Sequence, residues 1–135
     1  MVSRLRTLPF ILIAAGIPLL SLLPVALLSD WVGGAPAFPH ADKLVHACMY
    51  GLLTGAALFA FPGLRGWRGA LPVFLGVTLY GAAMELGQKW LASGRSADIW
   101  DGVANALGAL AVILLSGCFR KGKIRRGAGR GKEEV

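Results

Sequence analysis

The residues able to do chemistry in this 135-residue chain are few, and they are not scattered. Asp42, His46 and Tyr50 recur at i, i+4 and i+8, Glu85 and Gln88 at i, i+3, and Asp98, Asp101 and Asn105 at steps of three and four. On a helix, each of these spacings puts its set on one face. His46, Glu85, Asp98 and Asp101 are candidate catalytic groups. An imidazole beside carboxylates can pass protons, or hold a divalent cation that activates water against a phosphoester. Lys43 and Arg95 are candidate holders of a phosphate or carboxylate, Arg95 through a bidentate fork, while Gln88 and Asn105 can exchange hydrogen bonds with a polar headgroup. Ser96 is a nucleophile only if His46 serves as its base. The sequence has no HExxH, no cysteine pair at metal-binding spacing and no phosphatase signature, so no metal or cofactor is assigned.

The elements that carry these residues are unusual. Hydrophobic residues make up 56% of the chain and charged residues 16%, with a mean hydropathy of +0.64. Asp, Glu, Lys and Arg are absent from residues 7–29, 44–64, 69–84 and 102–119, runs of 23, 21, 16 and 18 residues. Crossing about 30 Å of hydrocarbon takes roughly 20 helical residues, and the third run reaches that length by continuing past Glu85 to Lys89. A soluble four-helix bundle would need a polar stripe on each helix, and none can be drawn on these runs. The expectation is an all-α integral membrane bundle of four spans, at about 7–29, 43–62, 70–89 and 101–119, forming one domain over 1–119. The apolar stretch of the first run exceeds the usual length of a signal-peptide core, so it is read as a retained span.

Charge orients this bundle. The net charge is +7, and eleven of the fourteen Lys and Arg flank the first span, join the second and third spans, or follow the fourth. Lys43, Lys89 and Arg95 fall on the opposite side, with Asp30, Asp42, Asp98 and Asp101. The positive-inside rule then places both termini in the cytoplasm and turns the loops at 30–42 and 90–100 outward. The basic tail, 120–135, lacks aromatic residues for stacking bases, so it is read as a disordered segment against anionic headgroups and not as a nucleic-acid site. Cys48 and Cys118 lie near opposite membrane faces, too far apart to be bridged.

With that orientation, the polar residues of three helices reach one outer slab. A carboxylate such as Glu85 inside a span costs at least about 2.5 kcal/mol on insertion scales unless it is paired or protonated. Each residue alone has an ordinary role available: His46 as a packed imidazole, Asp98 or Asp101 as a helix N-cap, Asn105 as an interhelical hydrogen bond, Tyr50 as an interfacial aromatic. Their convergence is what points to a site. Small residues would allow the approach: Gly51 and Gly55 on the second span, Gly76 and Gly81 on the third, Ala104 and Gly108 on the fourth. Spans two to four are expected to form the tight core. Span one, interrupted by Pro18 and Pro24, is expected to be a kinked peripheral helix.

The segments DKLVHACMY (42–50), ELGQ (85–88) and GRSADIWDGVANALGA (94–109) resemble the signatures of the VanZ-like family of small bacterial membrane proteins. The resemblance covers about residues 40–112 and is most specific in the pattern Arg-Ser-x-Asp-x-x-Asp-x-x-x-Asn-x-x-Gly. It implies motif positions at Asp42, Lys43, His46, Tyr50, Glu85, Gln88, Arg95, Ser96, Asp98, Asp101, Asn105 and Gly108. Val112 stands where the family often has Gly. The family's namesake is associated with low-level teicoplanin resistance, which gives a name without a reaction.

Three functional classes follow. The first is a cell-envelope protein whose outward pocket binds the headgroup of a membrane lipid, a lipid-linked cell-wall precursor or a glycopeptide. The second is an intramembrane enzyme, metal- or acid/base-dependent, acting on a phosphorylated lipid headgroup. Proton-coupled transport is the weakest, because the polar residues lie at one end of the spans whereas transport sites sit near the midplane.

Overall fold

The computed structural model describes residues 2–22, 40–91 and 98–130. Within them the protein is all-helical: α1 (Val2–Leu22), α2 (Ala41–Ala60), α3 (Trp67–Leu91) and α4 (Ile99–Arg130), with a short 3-10 turn (Pro62–Arg65) joining α2 to α3. Three of the helices, over Ala41–Ala60, Arg68–Leu91 and Ile99–Gly117, are long and apolar enough to cross a membrane. The 20 residues of α2 span about 30 Å, the thickness of the hydrocarbon layer. The apolar part of α1, Leu5–Ser21, is shorter than that, and the expected continuation of its span to residue 29 lies outside the described residues.

The surface is the opposite of a water-soluble bundle's, and polar residues join the apolar core inside. Large apolar residues point outward on every helix, among them Leu19, Leu52, Leu79 and Leu107, each more than half exposed. The interior holds Ser21, Thr54, Glu85, Gln88, Asp101 and Asn105. An apolar surface this continuous is tolerated in lipid and aggregates in water.

The most extensive helix contact is between α2 and α4; α1 packs chiefly on α2, and α3 chiefly on α4. Small residues set the α2–α4 distance. A Cβ added to Gly108 would run into the carbonyl of Ala47, and one added to Gly51 would lie 3.4 Å from the Gly108 carbonyl oxygen. Val112 fills the space beside Gly51 and Gly55 at 3.5 and 3.8 Å, so its side chain serves as packing for α2. Gly81 of α3 abuts Asn105 and Tyr50, at 2.9 and 3.0 Å from an added Cβ. Gly76, expected to line a contact, has nothing within 4 Å, because it lies on a face of α3 that meets no neighbour.

Three further expectations change. α1 is not peripheral: Ile17 joins the buried core with Tyr50, Leu53, Val77 and Ala109. The helix runs unbroken through Pro9 and Pro18, while Pro24 lies outside the described residues. The tail, expected to be disordered from residue 120, continues α4 as helix to Arg130: Lys and Arg are good helix formers and extend turns already in place, against the cost of Gly122, Gly127 and Gly129. Residues 131–135 lie outside the described residues.

Candidate functional site

The polar site forms where α2 and α4 begin and α3 ends. Asp98 starts α4: its Oδ1 accepts the backbone N–H of Trp100 at 2.9 Å, an N-cap that satisfies one of the free donors of the first turn. Its other oxygen, Oδ2, accepts from Lys43 Nζ at 2.8 Å. One side chain therefore fixes the start of α4 and ties it to the start of α2.

Lys43 reaches further. The same ammonium meets Asp101 Oδ1 at 3.2 Å and Asp42 Oδ2 at 3.1 Å. Three carboxylates around one ammonium leave a negative surplus at this end of the bundle. The Lys43 hydrogen bond, helped by the cap, holds the Asp98 carboxyl below the usual carboxylate range. Lys43 was expected to grip a phosphate, and here its charge is already answered by three acids. An anion approaching it would have to displace them.

Beneath this cap lies a tighter group. His46 of α2 stands between helices α3 and α4, with Nδ1 3.1 Å from Asn105 Oδ1 and 3.7 Å from Glu85 Oε1, and Nε2 3.8 Å from Asp101 Oδ2. One ligating atom from each of His46, Glu85 and Asp101 lies within 4.8 Å of the others. Glu85 is 8% exposed and Asn105 1%. Neither oxygen of Glu85, nor Nδ2 of Asn105, completes a hydrogen bond among the described residues. Buried polar atoms without partners cost roughly 1–3 kcal/mol each, and more when charged. This group, at the meeting of three helices, is where the bundle is least satisfied.

The remaining residues separate. Tyr50 is buried one turn below His46, against Gly81, with its ring 6.3 Å from that of Tyr80; it packs as core. Gln88 faces α1, donating from Nε2 to the Ser21 carbonyl at 3.2 Å, so its amide serves the α1–α3 contact and not the His46 group. Arg95 and Ser96 lie outside the described residues. Cys48 is a free, exposed thiol, and the side chain of Cys118 lies outside the described residues.

Tyr80 is the polar contact that the sequence reading passed over. Its hydroxyl donates to the Ala14 carbonyl of α1. A tyrosine hydroxyl deep in an apolar run needs an acceptor, and a proline four residues on from that carbonyl frees it: Pro18 has no N–H to bond Ala14 in the helix. That pairing was the available signal.

A concavity of about 780 Å³ lies elsewhere, an apolar groove among α1, α2 and α4 lined by residues such as Pro9, Ile13, Cys48, Leu52, Phe59 and Val112. It opens on a different face of α2 from His46 and contains none of the polar group. No family model, curated protein or solved structure matches this chain.

Proposed function

We propose that the chain is a VanZ-like protein of the bacterial inner membrane, with four spans and cytoplasmic termini, that binds a polar headgroup at the outward ends of α2, α3 and α4. The observation behind this reading is the buried group of His46, Glu85, Asp101 and Asn105, in which the Glu85 oxygens and the Asn105 Nδ2, without a hydrogen-bond partner among the described residues, offer acceptors and a donor just below the surface. Hydroxyl or ammonium donors of a lipid, a lipid-linked cell-wall precursor or a glycopeptide would complete these contacts. Arg95, between α3 and α4, would supply a cation for a phosphate or carboxylate. Ligand binding alone, by sequestration or by altering surface chemistry, would suffice for glycopeptide tolerance.

The test is binding of labelled teicoplanin or of a lipid-linked precursor to protein in nanodiscs. Arg95→Ala and Glu85→Gln should weaken binding, and Lys121→Ala in the tail should not. Equal effects of Arg95→Ala and Lys121→Ala would remove the basis of the reading.

One observation favours a second reading, an acid/base enzyme on a phosphorylated lipid headgroup: an imidazole with carboxylates at 3.7 and 3.8 Å on either side. Its mark would be phosphate release from a lipid phosphate, lost in both His46→Ala and Glu85→Gln.

A further inference from the structure

We propose that His46, Glu85 and Asp101 form a binding site for a single divalent cation of the Mn²⁺ to Zn²⁺ class, closed off beneath the Lys43 salt-bridge cluster.

The ligand atoms of the three residues lie within 4.8 Å of one another, one from each of three separate helices. Around a tetrahedral metal with bonds of about 2.0–2.2 Å, ligand atoms are roughly 3.3–3.6 Å apart, so closure by about 1 Å, on the scale of a rotamer change, suffices. The arrangement of hydrogens points the same way. When His46 is neutral and gives its Nδ1–H to Asn105 Oδ1, 3.1 Å away, Nε2 keeps its lone pair. That lone pair then stands 3.8 Å from Asp101 Oδ2, one acceptor facing another, an arrangement that a cation between them turns from repulsive to attractive. Metal-bound histidines typically donate their second ring N–H to a carbonyl or carboxylate, which fixes the tautomer; Asn105 occupies that position here.

Glu85 supplies the independent observation. It is more than nine-tenths buried and neither of its oxygens has a hydrogen-bond partner among the described residues; Oε1 lies 3.7 Å from His46 Nδ1, so it reaches a cation held at Nε2 by a change of its own rotamer. Lys43 does not answer it: the ammonium contacts Asp42, Asp98 and Asp101. Ionised, Glu85 would add its charge to that of Asp101 at the edge of a low-dielectric layer, and a dication would offset it. The second oxygen of Asp101, held by Lys43 at 3.2 Å, orients the carboxylate toward the centre. One nitrogen and two carboxylates suit Mn²⁺, Fe²⁺ or Zn²⁺ better than Ca²⁺, which takes oxygen ligands throughout, or Cu⁺, which prefers sulfur.

The test uses the full chain purified in detergent, stripped with a chelator and equilibrated with Zn²⁺ alone. One Zn²⁺ per chain should bind saturably. His46→Ala and Glu85→Gln should each weaken it by more than the ten- to hundredfold that follows loss of an outer-shell partner, whereas Asp42→Asn should leave it within a fewfold of wild type. Circular dichroism establishes that each variant is folded. Should either fail to fold, Co²⁺ on the wild-type chain replaces it: imidazole coordination gives paramagnetically shifted His46 ring protons. Absence of saturable binding, or a site that persists in folded His46→Ala and Glu85→Gln, overturns the proposal, as does Co²⁺ that leaves the His46 resonances in place.

Discussion

Replacing Gly108 with Ala puts a methyl group where α2 and α4 touch through their backbones. The new Cβ would sit 2.8 Å from the Ala47 carbonyl carbon and 2.9 Å from its Cα, with the carbonyl oxygen nearer still. Carbon–carbon contact is comfortable from about 3.5 Å, so against a Cα at 2.9 Å the helices must part by roughly 0.6 Å or more. A backbone cannot step aside as a side chain can. Overpacking of this kind costs about 1–3 kcal/mol, against which helix propensity returns up to about 1 kcal/mol. Gly76→Ala is the matched control: it gains the same propensity and meets nothing within 4 Å. The two alanine variants should therefore differ by about 1–3 kcal/mol in unfolding free energy in mixed micelles, Gly108→Ala being the weaker. The site should report the same displacement. Gly108 lies one turn beyond Asn105 and Ala47 follows His46, so parting the helices carries the 3.1 Å His46–Asn105 contact past hydrogen-bonding length. The His46 imidazole ¹⁵N shifts, assigned against His40→Gln, should move in Gly108→Ala and stay fixed in Gly76→Ala. Equal stabilities for the two variants would refute the reasoning, as would an unmoved His46 signal.

Asp98 carries both a cap and a charge, and substitution separates them: Asp98→Asn keeps an N-cap and loses the Lys43 ion pair, Asp98→Ala loses both, so melting temperature should fall in the order wild type, Asn, Ala. Because the folded pKa of Asp98 is lowered, its contribution is complete above the unfolded value of about 3.9 and fades as pH falls through the folded one. A melting-temperature profile should be level from pH 7 to about 5 and drop below about 4, the drop being smaller in Asp98→Asn. Tyr80→Phe and Gln88→Ala each remove a hydrogen bond to α1, worth on average about 0.6 kcal/mol between membrane helices. Amide exchange should quicken in α1 while Zn²⁺ binding is unchanged. A fluorescent protein that matures only in the cytoplasm should stay bright when fused to the C-terminus, and a dark fusion would reverse the proposed orientation.

Helix number and the gathering of polar residues at one end of the bundle were readable because both rest on strong penalties. A charge-free run near membrane length has few alternatives, and an acid such as Glu85 inside one must find company. Which face each helix turned to its neighbours was less readable. Gly76 and Gly108 look alike in sequence, yet Gly108 lies against Ala47 and Gly76 against nothing, because the rotation of α3 is set by Gly81 seating on Asn105 and Tyr50. Gln88 shares a helical face with Glu85 by spacing, but three residues turn the side chain about 60° around the axis, enough to reach Ser21 of α1 instead of His46. The pairing of Lys43 with Asp98 spans a long stretch of chain and has no local signature; the two meet only because the α2–α4 contact is close.

That closeness separates the roles of the two cations. Lys43 is placed among Asp42, Asp98 and Asp101 at 2.8 to 3.2 Å, where its attraction for an outside anion is largely cancelled and its removal leaves three acids facing one another. Arg95 belongs to the segment between α3 and α4, and on the headgroup reading its charge is directed to ligand. Lys43→Met should therefore lower the melting temperature, with the loss shrinking at low pH as Asp42 and Asp98 protonate, and should weaken teicoplanin or precursor binding no more than its loss of fold explains. Arg95→Ala should do the reverse, leaving melting unchanged and removing binding. If Lys43→Met melted like wild type yet bound no ligand, the ammonium would be a ligand contact after all, and the acidic ring around it only its resting partners.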